Sequence, residues 1–213
     1  MSSNCLKCGG TGKLVNGDPC PDCAEQLCKE AQRMVVQASI PSQYQIVNFK
    51  KEMLSLDVQK GYGEFMENLM KSILINFAFY EKNILICSRP NTGKTIWAYT
   101  LIKSLAAKGY QVPDIQDIVQ LRETLNYSKS TFEQVESINK ARCLIVRIPA
   151  DVQFWMIDII LYIIERRVPN NGFTIFLFNG SYSQLEQADR YGKLEHIKKD
   201  GAWHTIKVED FCK

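Results

Sequence analysis

A chain that runs five apolar-flanked residues straight into Ser88-Arg89-Pro90-Asn91-Thr92-Gly93-Lys94-Thr95 has few folds open to it. Asn83-Ile84-Leu85-Ile86-Cys87 reads as a buried strand, and Ile96 to Lys108 as a helix closed by Gly109. A strand, a tight loop and a helix opening at Gly93-Lys94-Thr95 form the setting of a phosphate-binding loop. Successive backbone N–H groups of such a loop make a concave anion site at the positive end of the new helix. The Lys94 ammonium is expected to reach the terminal phosphates of ATP, and the Thr95 hydroxyl to ligate Mg²⁺. Ser88, Arg89, Pro90, Asn91, Thr92, Gly93, Lys94 and Thr95 are therefore the expected cofactor-binding residues. The usual pattern has glycine where Ser88 stands, and serine does not enter positive φ without cost. Asn91 holds a place often taken by glycine, and asparagine is among the residues that best tolerate the left-handed region.

A second pattern lies near the N-terminus, in Cys5-Leu6-Lys7-Cys8-Gly9-Gly10-Thr11-Gly12 and then Cys20-Pro21-Asp22-Cys23. Two Cys-x-x-Cys pairs on Gly- or Pro-rich turns can set four thiolates at the corners of a tetrahedron, the arrangement structural Zn²⁺ prefers. Cys5, Cys8, Cys20 and Cys23 are the expected zinc ligands, and an all-cysteine set implies a closed, structural site. Glycines let the backbone curl so that its N–H groups donate to the sulfurs. So short a segment buries no useful core, so its fold is expected to depend on the metal.

Length and composition bound the rest. The 213 residues suit one ordinary domain with a small appendage, and a hydrophobic content of 46% excludes a disordered chain. A net charge of +3, with both signs spread along the chain, permits nucleic-acid contact without demanding it. Met1-Ser2-Ser3-Asn4-Cys5 lacks the apolar core of a signal peptide. Trp155 to Ile164, the most apolar run, contains Asp158 and is about half the length that spans a bilayer. The expectation is a cytoplasmic protein with no membrane contact. In that reducing compartment the eight cysteines are metal ligands and core thiols, not disulfides.

Periodicity places the other elements. Ala24 to Gln37, including Cys28, reads as a charged helix ended at Ile40-Pro41. Residues 1–38 are then a zinc-binding head with a linker helix, and 39–213 the nucleotide-binding domain. A helix from about Val58 to Phe79 carries Phe65, Leu69, Ile73, Leu74 and Phe77 at helical spacing. Asp114 is expected to cap a helix whose buried side is Ile118, Leu121 and Leu125. Asn126 to Asn139 is polar and takes no assignment. Cys143 to Val146 and Phe173 to Phe178 read as buried parallel strands. Val152 to Arg167 reads as a helix with Ile157, Ile160, Leu161 and Ile164 on one face, ending in Arg166 and Arg167 where cations suit the helix dipole. Strands alternating with helices predict an α/β fold with a mainly parallel sheet. Cys87, Cys143 and Trp97 read as core residues.

In their order these pieces resemble the DnaC/DnaI/IstB family of P-loop proteins, of the AAA+ class. The resemblance covers the cysteine head, the Ile40-Pro41-x-x-Tyr44 lead-in, Gly93-Lys94-Thr95, the Glu165-Arg166-Arg167 helix end, and Thr174-Ile175-Phe176-Leu177-Phe178-Asn179, which looks like the family's sensor-1 strand. Tyr182-Ser183-Gln184-Leu185-Glu186 follows where the family's next helix would. It implies a three-layer AAA+-like P-loop domain plus a small zinc module. It makes Asn179 the sensor-1 candidate and implies a role in DNA replication: ATP binding and loading of a hexameric replicative DNA helicase onto single-stranded DNA, with self-association on the helicase.

Hydrolysis is where the chain departs from that family. Leu144-Ile145-Val146 runs into Arg147-Ile148-Pro149, where the family ends its strand in two acids that hold Mg²⁺ and polarise the attacking water. Asp151 is a displaced substitute, and Arg147 a fixed cation that would stand near the phosphates. His196, Lys198 and Lys199 occupy the stretch of the family's arginine finger, with Arg190 nearby as a catalytic candidate, and Glu209 to Lys213 offers no arginine for sensor 2. Weak or absent ATP hydrolysis is the expectation, since an arginine finger alone supplies about 10³–10⁵ in rate. Two further functions fit the same features: a non-enzymatic adaptor or inhibitor of the helicase or a loader, and a transposition regulator of the IstB kind.

Overall fold

The computed structural model describes residues 5–8, 11, 13–15, 18, 20–23, 39–54, 59–125, 132–195 and 203–207, without the side chains of 59, 60, 132–134, 203 and 204. The expected helix over 24–37 and its Cys28, the residues 196–199 and the terminal stretch 209–213 lie outside these described residues.

Mostly apolar runs make the central strands. β1 (Asn83–Cys87) and β4 (Phe173–Phe178) are buried at every residue, and β3 (Cys143–Ile148) at every residue except Arg147. Together with β2 (Gln116–Asp117) and β5 (Trp203–Lys207) they form one five-stranded sheet in the order β2-β3-β4-β1-β5, and every pairing is parallel. A fully parallel sheet has to be covered on both faces.

Strand alternation divides the core between those faces. Ile84, Ile86, Cys143, Ile145, Phe173, Ile175, Leu177 and Ile206 face a cluster with Met66, Met70 and Ile73 of α2 (Glu64–Asn76) and Trp97, Leu101 and Leu105 of α3 (Lys94–Ala107). The opposite residues, among them Leu85, Leu144, Val146, Phe176 and Phe178, pack on α4 (Ile118–Leu125), α6 (Phe154–Arg167) and α7 (Tyr182–Ala188). A further helix, α5 (Phe132–Lys140), precedes β3 and occupies part of the polar stretch the sequence leaves unassigned. The result is the expected three-layer α/β fold. Trp97, Cys87 and Cys143 are core residues as expected, and the Trp97 indole donates to Met66 O at 2.8 Å.

Several local expectations are corrected. The long helix over 58–79 is three pieces: a π-helical turn at Gln59–Gly63, α2, and a 3₁₀ turn at Phe77–Phe79. Its buried line is Met66, Met70, Ile73 and Phe77, while Phe65, Leu69 and Leu74 sit only partly covered at the flank. Asp117, not Asp114, caps α4: its Oδ1 accepts from Val119 N at 2.9 Å, whereas Asp114 bonds Ile115 N beside it. Arg167 is not a solvated helix-end cation. It is fully buried, and its guanidinium donates to Thr174 Oγ1 at 3.0 Å, to Ala141 O at 2.7 Å, to Phe173 O at 3.0 Å and to Ile138 O. Burial lowers its pKa to about 10, which leaves it cationic at neutral pH, and it ties α5, β3 and β4 to the end of α6.

The lead-in segment is docked rather than free. Lys103 of α3 donates to Tyr44 O at 3.0 Å and Val47 O at 2.5 Å, at the end of α1 (Ser42–Gln45). Phe49 N donates to Thr100 Oγ1 at 2.8 Å, and Tyr44 stacks on Tyr99 with centroids 4.7 Å apart. These contacts carry Phe49 and Leu54 over the start of α3, where the site lies.

Candidate functional site

β1 ends at the carboxyl edge of the sheet, between β4 and β5, and the chain turns there through residues 88–93 into α3. Crevices outside the carboxyl ends of parallel strands are where α/β folds bind ligands. Two residues of the turn take the left-handed region, Asn91 at φ 66° and Gly93 at φ 76°. The tolerance of Asn91 for that conformation is what the sequence anticipates. Gly93 also sits in tight space: a Cβ there would stand 3.1 Å from Leu54 Cδ2 and 3.1 Å from Phe49 Cε2, so both side chains would have to give way. The helix is nucleated by Trp97 N donating to Gly93 O at 2.9 Å. The first-turn N–H groups of Lys94, Thr95 and Ile96 therefore have no helical acceptor and are available to an anion.

Lys94 is 4% exposed. Its Nζ donates to Ser88 Oγ at 2.5 Å, Arg89 O at 2.9 Å, Ser88 O at 3.0 Å and Thr92 Oγ1 at 3.3 Å. Desolvation lowers its pKa to about 8. Ser88 and Thr92 are joined hydroxyl to hydroxyl at 2.5 Å. Asn91, Thr92, Gly93, Lys94, Thr95 and Ile96 open onto a cleft of about 310 Å³, and Asn179 at the end of β4 lines its other side. Asn179 is held there by its own N–H, which donates to Ile148 O at 3.1 Å. The remaining wall is apolar and aromatic: Tyr44, Phe49, Met53 and Leu54. Sequence reasoning missed these four as lining residues; the one available signal was that the Ile40-Pro41-x-x-Tyr44 lead-in precedes the loop.

The structure thus brings Asn179 to the loop, and it places three other candidates elsewhere. Arg147 points away, its Nη2 and Nε donating to Asp117 Oδ2 at 3.2 and 3.3 Å, so the expectation of a cation beside the phosphates is corrected. The register of β2 and β3 sets Asp117 directly against Arg147 and draws that side chain outward along the sheet. Asp151 does not stand in for the absent acids. Its Oδ1 accepts from Gln153 Nε2 at 3.1 Å, and it lines a separate cleft of about 350 Å³ together with Arg190. Arg190 lies with its guanidinium carbon 5.2 Å from the Phe154 ring centroid, outside the residues that line the loop cleft.

The sulfurs of Cys5, Cys8, Cys20 and Cys23 lie within 4.8 Å of one another, with Cys5–Cys20 at 3.7 Å and Cys8–Cys23 at 3.3 Å. A tetrahedral ion with Zn–S bonds of about 2.3 Å would set its sulfurs about 3.8 Å apart, so the donor set fits. The Cys23 thiol is pushed up to about 12, first by its hydrogen bond with Cys8 and then by desolvation. Sulfurs this close cannot all ionise without a cation among them. Among the described residues, no helix is long and apolar enough to cross a membrane.

Neither a family model nor a curated protein sequence matches the chain. Solved structures do. That of DnaI aligns over 81% of this chain and 96% of its own, with a TM-score of 0.60 at 17% identity. That of the DnaC helicase loader aligns over 78% and 99%, with a TM-score of 0.59 at 19% identity. AMPPCP-bound DnaA from Aquifex aeolicus aligns over 75% of this chain and 49% of its own, with a TM-score of 0.53 at 16% identity. The chain has the AAA+ fold of these proteins, the fold expected from the order of its motifs.

Proposed function

We propose that this chain binds Mg-ATP in the loop cleft and, in that form, loads a replicative DNA helicase hexamer onto single-stranded DNA, with hydrolysis weak or absent. The observation that carries the reading is a contrast between two strand ends: the loop after β1 sets Gly93, Lys94 and Thr95 on a cleft with Asn179, and Arg147 of β3 is paired with Asp117 where an acid would serve hydrolysis. Backbone N–H groups and Lys94 would hold the phosphates, Thr95 the Mg²⁺, and Tyr44, Phe49, Met53 and Leu54 the nucleoside. Mg²⁺ would supply neutralisation of phosphate charge. The role as a loader is supported by the shared fold with DnaI and DnaC.

Residues 1–38 are assigned as the head that docks on the helicase, folded around Zn²⁺ held by Cys5, Cys8, Cys20 and Cys23, and 39–213 as the nucleotide domain. Several copies would assemble on one ring in the bacterial cytoplasm. A second reading is favoured by the Arg147–Asp117 pair: a protein without turnover can serve as an adaptor or inhibitor that occupies the same helicase surface.

The test is native mass spectrometry of the purified chain with its host's helicase in zinc and Mg-ATP, before and after adding single-stranded DNA. A complex that passes the ring to DNA is the expected result. A complex that persists without transfer identifies the inhibitor, and no complex at micromolar concentration overturns both readings.

A further inference from the structure

The phosphate loop carries a feature that its assignment leaves unused: a serine where such loops have glycine, with its hydroxyl turned inward. Ser88 is 2% exposed, and its backbone is pinned to β4 by Ser88 N donating to Phe178 O at 3.3 Å. Its Oγ lies 2.5 Å from Thr92 Oγ1 and 2.5 Å from Lys94 Nζ. We infer that Ser88 is the positioning residue that sets the nucleotide affinity of the loop: its hydroxyl, bridged to Thr92, holds the Lys94 ammonium against the loop's own oxygens and makes phosphate binding weaker than a residue without that hydroxyl would allow. The inference rests on the phosphate-binding reading of the cleft and adds to it which side chain tunes it.

A lysine ammonium has three protons and no acceptor. Four loop oxygens take them here: two carbonyls, of Ser88 and Arg89, and two hydroxyls, of Ser88 and Thr92. A phosphate oxygen can engage Lys94 only by displacing one of these acceptors. The carbonyls belong to any loop of this shape. The Ser88 hydroxyl does not, and it is the shortest of the four contacts, with charge assistance from the ammonium. The Thr92 hydroxyl keeps Ser88 Oγ from rotating away, since each is the other's partner across the turn.

A third hydroxyl lies near the bridge inside the fold. Tyr62 stands on the π-helical turn Gln59–Gly63 and is fully buried. Burial raises its pKa, and the neighbouring hydroxyls of Thr92 and Ser88 offset only part of that rise, which places the phenol near these two side chains. Single π-helical turns often occur at functional sites because they redirect side chains that an α-helix would carry elsewhere.

The experiment is isothermal titration of Mg-ATP into the full chain and into Ser88→Ala, Ser88→Gly and Lys94→Ala, at pH 6.5 to 9.5. Ser88→Ala and Ser88→Gly should each tighten binding about tenfold at pH 6.5, because the shortest of the loop's contacts no longer holds the ammonium and a phosphate then displaces a weaker one. Losing an acceptor also destabilises the charged amine in the nucleotide-free loop. The pH at which affinity begins to fall should therefore move downward in both variants, a change that a purely structural role of Ser88 would not produce. Unchanged or weaker binding in Ser88→Ala overturns the inference. Tightening in Ser88→Gly alone overturns it as well, because that assigns the effect to backbone freedom. Should Ser88→Ala fail to fold, the pH onset in Ser88→Gly decides. Loss of binding in Lys94→Ala with no effect of Ser88 leaves the phosphate site standing and removes only the role of Ser88. Absence of binding in every protein sinks the phosphate site and the inference with it.

Discussion

β1 and β3 flank β4 and end at the same edge of the sheet, yet they end in opposite ways. β1 runs into a loop whose conformation is set by Asn91 and Gly93 in the left-handed region and whose lysine is gathered inside it. β3 ends in Arg147, tied to Asp117 on the neighbouring strand, and Ile148, with Pro149 following. Binding a polyphosphate needs backbone N–H groups and a cation, which the first strand supplies. Cleaving one also needs a carboxylate to hold the metal and orient water, which the second does not. In the proposed reading these two requirements are separate: the loop after β1 has the groups that binding would use, and the end of β3 lacks the carboxylate that cleavage would use.

The sharpest way to break that contrast is to look for turnover. Against an ordinary enzyme rate of about 10 s⁻¹, loss of the acids and finger should hold steady-state hydrolysis at or below about 10⁻² s⁻¹. Phosphate release at several per second under saturating Mg-ATP would restore the second strand to catalysis and end the comparison. Next in size is the lysine. Lys94→Ala should weaken Mg-ATP about a hundredfold in equilibrium titration while leaving the thermal unfolding midpoint within a few degrees. Retained affinity would mean that the nucleotide, if bound, is not held by this loop.

Acidity sharpens the comparison further, because Lys94 is lowered to about 8 by desolvation. Phosphate contact favours the ammonium and raises its pKa in the complex, so above pH 8 binding must take up a proton. Affinity should be nearly flat below pH 7 and fall about tenfold between pH 7 and 9. A profile that stays flat to pH 9 would show that Lys94 does not change state on binding. The smallest effect belongs to the other strand: Arg147→Ala should leave Mg-ATP affinity within about threefold, since only a partly exposed pair with Asp117 is lost. A large loss would put Arg147 back beside the phosphates.

Much of this was legible in the residues. β1 and β4 are mostly apolar runs that end at Ser88 and Asn179, and the structure ends the strands there. The loop's need for left-handed backbone could be read at Asn91 and Gly93, and the sulfur cluster from the spacing of its two pairs. What could not be read depends on residues far apart in the chain. Arg147 meets Asp117 only through strand register, and Phe49 reaches Gly93 only because Thr100 and Lys103 hold the lead-in. Tyr62 comes near Ser88 through a π-helical turn whose residues show ordinary helical periodicity. Arg167 looked like a helix-end cation because nothing local reports the four oxygens that surround it. β2 has two residues and β5, Trp203-His204-Thr205-Ile206-Lys207, is no continuous apolar run, so neither stands out, and they are strands because β3 and β1 offer them an edge.

The most direct test of binding without cleavage is the identity of the nucleotide that the protein keeps. The chain would be incubated for about ten seconds with α-labelled ATP and Mg²⁺, short against slow turnover and long against an ordinary enzyme rate, separated rapidly from free nucleotide, and its bound label resolved by chromatography. The account predicts about one nucleotide per chain, recovered as ATP. Recovery as ADP would show that β3 supports hydrolysis after all, and no retained label in a parallel equilibrium measurement would show that the loop does not bind.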